Sequence, residues 1–444
     1  MKPLYVISCP IDTYSGYGSR SRDLAKAIIE LDKYDVKILP QRWGNTPWNF
    51  IDDHKEEWGF LKNYILTTPQ LPKQPEIWSQ VTVPNEFQPV GKYNIGFTAG
   101  IETTLCDAAW IEGLNRMNVT FVSSNFAKEA LEKSSFEERD KKTNQLIRTL
   151  KLQKPLEVLF EGADITKYLP LESKEITSID LSSIKEDFAY LFVGHWLQGD
   201  LGEDRKNVGL LVKAFYETFK NRMKKPALIL KTSMGGTSYM DREEILKRIA
   251  AIKKTVNSTN LPNIYLFHGE LSDQEINQLY NHPKVKAMVS LTKGEGFGRP
   301  LLEFSLAKKP ILVSDWSGHL DYLDSEFVTL IPGQLKPVHK SALVPGIIIE
   351  GAQWFAPDAG MLGARMRDVY ENYKNYTDGA KRQAYKSRTE FSYDKMKEKL
   401  DELLTKLVPE FPKEVKLQLP KLKKIGEPTT PSLPKLQLPK LNKI

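Results

Sequence analysis

The sequence predicts an α/β protein built from two parallel-sheet domains in series. Over residues 4–160, short β-branched or aromatic runs alternate with longer helical stretches, which is the pattern of parallel sheets with crossover helices. The same alternation restarts at Phe188, after a weakly patterned linker at 167–187. A chain of 444 residues is also long for a single core, so two domains of ordinary size are expected.

The individual elements follow from these runs. In the first unit we expect strands at 4–8, 35–39, 93–98, 119–123 and 156–160, and helices at 20–31, 108–117, 127–133 and, strongly charged, 135–150. In the second unit we expect strands at 188–193, 227–232, 264–267, 287–291 and 310–313, and helices at 210–219, 241–255, 273–281 and 300–307. Two charged helices follow at 358–375 and 380–406. Both units are Rossmann-like, and ligands of such sheets bind beyond the carboxyl ends of the strands.

The composition is that of a globular protein, with 41% hydrophobic and 27% charged residues. No run of about 18 apolar residues occurs, so a membrane span is not expected, and the short apolar run at 4–8 reads as a strand rather than a signal peptide. The two cysteines, Cys9 and Cys106, are too few for a disulfide framework or a four-ligand zinc site. We therefore expect a reducing, cytoplasmic setting.

The positive charge of the chain is concentrated at its end. The net charge is +7, and residues 409–444 contain eight Lys and three Glu, a net of +5, which leaves +2 for the rest. A nearly neutral body argues against a large nucleic-acid surface, because affinity for DNA comes mainly from contacts with phosphates.

The basic tail contains a repeat. KLQLPKLKKI at 416–425 returns as KLQLPKLNKI at 435–444, and seven prolines between 409 and 439 oppose a helix and favour extended backbone. One interpretation is a disordered, solubilising tail. The other is a doubled docking motif for a protein or for an anionic surface, either a membrane or a nucleic acid, in which two copies raise avidity.

A glycine-rich turn is the strongest candidate site. GEGFG at 294–298 follows a predicted strand and precedes a helix that Pro300 can open. Glycines allow backbone N–H groups to point into a shared concavity, and the start of a helix adds partial positive charge. This combination suits a phosphate or the hydroxyls of a sugar.

The longer stretch resembles the signature of the retaining, nucleotide-sugar-dependent glycosyltransferases of the two-Rossmann-domain (GT-B) class, glycosyltransferase family 4. The resemblance is carried by EGFGRPLLE at 295–303 and AKKPILV at 307–313, with Lys309 where the family usually has glycine. It implies that Glu303 hydrogen-bonds the ribose of the donor and Glu295 a hydroxyl of the donor sugar. The backbone amides that surround sugar and phosphate would be those of Gly296, Phe297, Gly298 and Arg299.

A second stretch extends the resemblance. Gly194 directly follows the predicted strand at 188–193, and the pair Arg205 and Lys206 comes after an insertion at 196–203. This arrangement is similar to the family's strand and Arg-Lys pair that bind the donor diphosphate. A diphosphate leaving group gains charge as the glycosidic bond breaks. Two cations at that point stabilise the transition state more than the ground state, which is why we expect Arg205, Lys206 and Glu295 to be catalytic.

Further donor-binding residues are expected on both sides of the cleft. The loop YSGYGSR, with Gly16 and Gly18, resembles the family's glycine loop that faces the donor phosphates, although a plain flexible turn explains it equally well. Ser233 and His268 follow two strands of the second unit and lie around the expected base pocket.

On the acceptor side, Glu102 and Thr103 resemble the Glu-Thr pair that some family members carry at the end of a cleft strand. Many relatives place a histidine on this side, and no histidine occurs there, so the acceptor-side catalytic group stays open. No Asp-x-Asp stands in a suitable loop. With Arg205 and Lys206 present, we expect no metal and no cofactor besides a nucleotide-diphosphate sugar as co-substrate.

The sequence thus predicts a GT-B fold with an acceptor domain at 1–175, a donor domain at 185–375, C-terminal helices at 376–408 that pack back on the first domain, and the tail at 409–444. The predicted function is a retaining, metal-independent glycosyltransferase that moves a hexose or pentose to a glycan or lipid-linked acceptor. Two alternatives remain open: glycosylation of modified DNA bases, and a non-catalytic sugar-nucleotide-binding scaffold that docks partners through the tail.

Overall fold

Two parallel sheets form the framework of the protein. The computed structural model describes residues 2–71 and 73–412, so the tail repeats at 416–425 and 435–444 lie outside the described residues. The strands within these residues are β1 (Leu4–Cys9), β2 (Asp35–Pro40), β3 (Ile77–Val81), β4 (Tyr93–Thr98), β5 (Val119–Val122), β6 (Ser135–Arg139), β7 (Leu146–Lys151), β8 (Leu156–Val158), β9 (Ala189–His195), β10 (Ala227–Ser233), β11 (Ile264–Phe267), β12 (Val285–Ser290), β13 (Ile311–Ser314), β14 (Thr329–Ile331), β15 (Gly333–Pro337) and β16 (Gln353–Pro357).

Helices connect most of these strands. They are α1 (Gly16–Glu30), α2 (Phe50–Asp53), α3 (Lys55–Trp58), α4 (Ala108–Arg116), α5 (Asn125–Lys133), α6 (Val208–Phe219), α7 (Tyr239–Lys254), α8 (Asp273–Asn281), α9 (Arg299–Ser305), α10 (Ala359–Glu371), α11 (Thr377–Glu390) and α12 (Tyr393–Leu407). Short 3-10 helices lie at Gly59–Tyr64, Pro84–Glu86, Ser173–Glu175, Gly318–Asp321, Lys340–Ala342 and Tyr373–Tyr376. None of the helices in the described residues is long and apolar enough to cross a membrane.

The sheet orders confirm the predicted fold of two Rossmann-like domains. The first domain has the order β2-β1-β3-β4-β5-β8, and the second has the order β11-β10-β9-β12-β13-β14. All pairs within both sheets are parallel. In each parallel sheet the loops that follow the strands emerge at one edge, where binding residues of such folds collect.

Burial on both faces explains the apolar strands of the second domain. Leu191 of β9 packs with Leu302 of α9 in one core cluster. Its neighbour Tyr190 packs with Leu211 and Phe215 of α6 in the cluster on the opposite side. Successive side chains of a strand point to opposite faces, so a sheet covered by helices on both sides requires a continuous apolar run.

The predicted helix at 135–150 is wrong, because this segment forms the antiparallel hairpin β6–β7. Asp140 organises the turn, where its carboxylate accepts hydrogen bonds from the backbone N–H groups of Lys142 (2.8 Å) and Thr143 (2.7 Å). The charged residues pair across the strands, as in the 2.5 Å bond from Arg148 to Glu138, rather than along a helix. A local Asp turn thus competes successfully with helix formation.

The single helix predicted at 380–406 is two helices, α11 and α12. The break at Phe391 and Ser392 brings the chain against the first domain, where the N–H of Ala163 donates to the carbonyl of Phe391 (2.9 Å) and the N–H of Tyr393 donates to the carbonyl of Ala163 (2.7 Å). Ser392 caps α12 through a bond from the N–H of Lys395. After this break, α12 packs against α1.

Besides β6 and β7, four strands of the described residues were absent from the sequence prediction: β3, β14, β15 and β16. β3 is buried at every position and pairs with both β1 and β4, although its sequence lies between prolines and contains polar residues. The pair β15–β16 forms a small separate sheet. The backbone of Gln353 at the start of β16 exchanges hydrogen bonds with Thr104 of the first domain, so this sheet also connects the two domains.

Replacing Gly113 by alanine should destabilise the first domain. A Cβ at this position of α4 would lie 1.7 Å from the carbonyl oxygen of Pro84, a backbone atom that cannot yield easily. We expect a loss of roughly 1–3 kcal/mol in the free energy of unfolding, the usual cost of overpacking. Gly59→Ala is the matched control, since its Cβ would meet only Lys55 Cβ at 3.7 Å. Urea unfolding checks both variants, and equal midpoints would contradict the packing argument.

Candidate active site

The loops after β4, β9 and β12 meet between the domains and bring together a largely buried cluster of four charged side chains. This charge cluster consists of Glu102 from the first domain and Arg205, Lys206 and Glu295 from the second. Lys206 donates from Nζ to Glu295 Oε1. Arg205 NH1 lies 3.4 Å from Glu102 Oε1 and 3.5 Å from Glu295 Oε2. Arg205 therefore joins the two domains through oppositely charged groups.

The charge cluster controls the ionisation of its members. Burial opposes the charge of Glu295, but Lys206 and Arg205 outweigh it and lower the pKa of this carboxyl to about 2. Burial lowers the pKa of Lys206 despite its contact with Glu295. For Arg205, the attraction of Glu102 and Glu295 exceeds the effect of burial and raises the pKa of the guanidinium. Glu295 is thus a carboxylate at neutral pH, and it neutralises cations that a diphosphate could otherwise engage.

Glu303 lies in a different network, which we call the domain bridge. Arg299 donates from Nε to Glu303 Oε1 at 2.8 Å and from NH1 to Asp23 Oδ2 of α1 at 2.5 Å. Glu303 is buried, and its burial, against the opposing effect of Arg299, raises the pKa of its carboxyl to about 7. The side chain of Arg299 thus connects α9 to the first domain, and Glu295 and Glu303 have different partners.

Two glycines of the 294–298 turn allow the domains to approach closely. A Cβ at Gly294 would lie 1.9 Å from the carbonyl oxygen of Glu102, and a Cβ at Gly296 would lie 2.3 Å from that of Ala99. Both neighbouring atoms belong to the backbone of the first domain. Only glycine permits this backbone-to-backbone contact, which places the charge cluster at the seam between the domains.

Other glycines line open space. A Cβ added to Gly16 after β1, to Gly235 or Gly236 after β10, or to Gly269 after β11 would find no atom within 4 Å. These positions lie at the carboxyl ends of strands in both sheets, where a ligand can reach the backbone. Arg22 of α1 supports the first-domain loop, because its NH1 donates to the carbonyls of Ile11 and Thr13 at 3.0 Å each.

Ser233 and His268, expected near the donor, have protein partners of their own. Ser233 Oγ lies 2.9 Å from Nδ1 of His195. His268 Nε2 lies 2.8 Å from Asp241 Oδ2, and Asp241 also accepts the N–H of Met234 at 3.0 Å. Asp241 thereby ties His268 to the β10–α7 loop that carries Gly235 and Gly236. The side chains of Ser233 and His268 organise the loops at the ends of β10 and β11.

The remaining predicted residues contact parts of the protein itself. Phe297 is buried and packs on Tyr322, with the ring centroids 4.8 Å apart. Gly298 has a positive φ of 90°, and its carbonyl accepts a 2.6 Å hydrogen bond from the hydroxyl of Tyr322. Gly194 lies within β9, one residue before the strand ends. The N–H of Gly18 donates to Ser15 Oγ at 2.9 Å, and Thr103 is buried with its hydroxyl bonded to the carbonyl of Leu105 at 3.0 Å.

Three side chains of this region were not predicted from the sequence: His195, Asp23 and Tyr17. Desolvation, together with repulsion from Lys206 and Arg205, lowers the pKa of His195 to about 4, so its ring is neutral at pH 7. Tyr17 accepts the N–H of Ala99 at 3.1 Å and bonds Thr98 at 3.0 Å. The sequence could have indicated His195, because this residue directly follows Gly194 at the carboxyl end of a predicted strand. Asp23 had none, since its partner Arg299 is 276 residues away.

Comparison with known proteins supports the same picture. Residues 202–333, within the second domain, match the family model described as Glycosyl transferases group 1. This range includes Arg205, Lys206, Glu295 and Glu303. No curated protein sequence matches the chain significantly.

Solved structures resemble the described fold along nearly its whole length. A glycosyltransferase from Rickettsia africae is 11% identical, with a TM-score of 0.62 over 92% of this chain and 100% of that chain. Anabaena HepE, solved with UDP and glucose, is 11% identical, with a TM-score of 0.61 over 91% of this chain and 100% of that chain. Sucrose-phosphate synthase from Thermosynechococcus elongatus is 12% identical, with a TM-score of 0.59 over 92% of this chain and 99% of that chain. At these identities the likeness shows the shared fold, which is GT-B.

The stability of the protein should depend on pH through Glu303. Between the pKa of an unfolded glutamate, about 4.3, and the folded value of about 7, the folded protein holds a proton that the unfolded chain has lost. The contribution of this group is complete below pH 4 and is lost as the pH rises to 7, a loss of about 4 kcal/mol at most. Glu303→Gln should remove this contribution. Urea unfolding of both proteins from pH 5 to 8 checks it, and parallel pH profiles would contradict it.

Substituting Gly296 by alanine should separate the domains. The added methyl would press on the carbonyl oxygen of Ala99, and relief requires the loops to move apart. We expect a larger radius of gyration in small-angle X-ray scattering. Gly236→Ala, whose Cβ would meet no atom within 4 Å, is the control. An unchanged radius in Gly296→Ala would show that the seam tolerates a side chain.

Proposed function

We propose that this protein is a retaining glycosyltransferase that uses a nucleotide-diphosphate sugar and needs no metal ion. The observation that carries the proposal is the charge cluster at the domain seam. Three of its four residues, Arg205, Lys206 and Glu295, lie within the range that matches the Glycosyl transferases group 1 model. Cations held between two Rossmann-like sheets suit a donor whose leaving group is a diphosphate. Retention of the anomeric configuration is proposed from the resemblance of residues 295–303 to the family 4 signature.

The first step of the proposed reaction is an exchange of counter-ions. In the structure, Lys206 and Arg205 are paired with Glu295 and Glu102. A bound diphosphate would take over part of this pairing, and its charge rises as the bond to the sugar breaks. Preorganised cations in a site that excludes water stabilise that charge strongly, because they need not reorganise during the reaction.

Glu295 has a separate role in this proposal. Its pKa of about 2 keeps it ionised at neutral pH, so it cannot act as a general acid. A carboxylate beside the donor sugar can accept a hydrogen bond from a hydroxyl and stabilise positive charge that develops on the sugar ring. In this proposal Glu102, on the first-domain side of the cluster, would orient the acceptor hydroxyl. The acceptor is proposed to be a glycan or a lipid-linked sugar.

A panel of nucleotide sugars tests the function. UDP-glucose is the first donor to try, because the similar structure of Anabaena HepE was solved with it. Release of the nucleoside diphosphate and transfer to candidate glycans are read by mass spectrometry. NMR of the anomeric proton in the product then decides between retention and inversion. Donor binding without any turnover would favour a non-catalytic binder instead.

Arg205→Ala and Glu303→Ala should each lower donor-dependent turnover by roughly a hundredfold or more, while the fold survives. Arg205 is expected to contact the diphosphate and Glu303 the ribose. Arg382→Ala is the control, since its side chain is 65% exposed and pairs with Asp378 on the surface of α11. Circular dichroism confirms folding. Unchanged turnover in both site variants would contradict the assignment.

A further inference from the structure

A cavity of about 590 Å³ lies between the loop before α6 and the small β15–β16 sheet. None of the members of the charge cluster or the domain bridge lines it, so it is separate from the candidate active site. Its polar lining consists of Glu203, Asn207, Lys293, Lys336, His339 and Lys340. The volume is in the usual range for a small-molecule site.

The cavity wall carries an excess of positive charge. Three lysines and one carboxylate, that of Glu203, line it. A second carboxylate, that of Asp200, lies nearby, with its Oδ2 3.9 Å from Nδ1 of His339. The side chain of Lys293 is only 4% exposed and lies 3.1 Å from Glu203 Oε2 and 4.9 Å from the ring centroid of Trp354. Burying a lysine is costly unless anions compensate it. A negatively charged ligand would meet a preorganised cation here.

The N-terminus of α6 opens into the same cavity. Asn207 is the N-cap residue of this 12-residue helix, but its side chain makes no capping bond. Asn207 is 1% exposed and lines the cavity, and its Oδ1 has no hydrogen-bond partner among the described residues. The carboxylate of Asp204 already accepts the first N–H of α6, that of Val208, at 3.0 Å, so the attraction for an anion comes from the lysines. The unpartnered Oδ1 of Asn207 is a hydrogen-bond acceptor, and it indicates a ligand that also carries a donor such as a hydroxyl.

We propose that this cavity binds a phosphate monoester. The phosphate dianion would lie between Lys293, Lys336 and Lys340, near the start of α6, and would displace Glu203 from Lys293. The remaining volume accommodates a group of about the size of one sugar ring. The unpartnered Oδ1 of Asn207 can then accept a hydrogen bond from a hydroxyl of that group.

The site is placed to influence the active site. The N–H of Lys293 donates to the carbonyl of Arg205 at 2.8 Å, and the N–H of Phe355 donates to the carbonyl of Lys293 at 2.9 Å. Lys293 also directly precedes the glycine turn at the domain seam. The backbone of Gln353, the first residue of β16, in turn forms hydrogen bonds with Thr104 of the first domain. A ligand that contacts Lys293 and the β15–β16 sheet therefore touches both the catalytic loop and a connection between the domains.

Isothermal titration calorimetry of the full chain tests the site. The probes are inorganic phosphate, a hexose phosphate and the corresponding neutral hexose, and the key variant is the double substitution Lys336→Ala and Lys340→Ala. We expect both phosphates to bind and the neutral hexose not to bind. The double variant should weaken phosphate binding at least about tenfold, because charge-assisted hydrogen bonds are lost.

Two controls separate this site from its surroundings. Lys254→Ala, an exposed lysine of α7 in the same domain, should bind phosphate like the wild type. Lys206→Ala should also retain phosphate binding, even though it impairs the proposed donor site. Equal affinity in the double variant, loss of binding in Lys206→Ala alone, or no binding up to roughly 10 mM phosphate would each overturn the proposal. These outcomes are independent of whether the protein transfers a sugar.

Discussion

The pairing of Arg205 with Glu102 across the domain seam is the interaction on which the rest of the site depends. Each charge is largely removed from water, and a buried charge without a partner is strongly destabilising. Arg205 and Lys206 come from the second domain, and one of their two counter-ions comes from the first. The cluster is therefore complete only when the domains meet, which couples the electrostatics of the site to its closure.

Close backbone approach makes that meeting possible. Gly294 and Gly296 lie against carbonyl oxygens of the first domain, at distances that no side chain would permit. The domain bridge from Arg299 to Asp23 and the contact of β16 with Thr104 add further connections. The glycines of the 294–298 turn thus serve the domain interface, and the proposed function gives the same turn a second role in binding the donor. One short motif can meet both requirements because the proposed ligand site lies at the interface.

The fold and part of the site were predictable because they rest on local patterns. Alternating apolar runs and helical stretches identify parallel sheets wherever both faces are buried, and this holds for β1, β4, β9 and β10. Local patterns fail to predict secondary structure where a few polar side chains or the neighbouring strands determine it. Asp140 turns a charged segment into a hairpin, and β3, which the sequence analysis did not assign to any element, is held in the sheet by its pairing with β1 and β4.

By itself, the sequence determined the two-sheet architecture, the glycine turn and the identity of the charged residues Arg205, Lys206, Glu295 and Glu303. Only the tertiary structure decided which of them act together. It joined Glu295 to the two cations and Glu303 to Arg299 and Asp23, and it brought Lys293 to the cavity beside β15–β16. The physical reason is that charge pairing depends on distance in space. Sequence spacing sets that distance within one helix or turn, but not between two domains.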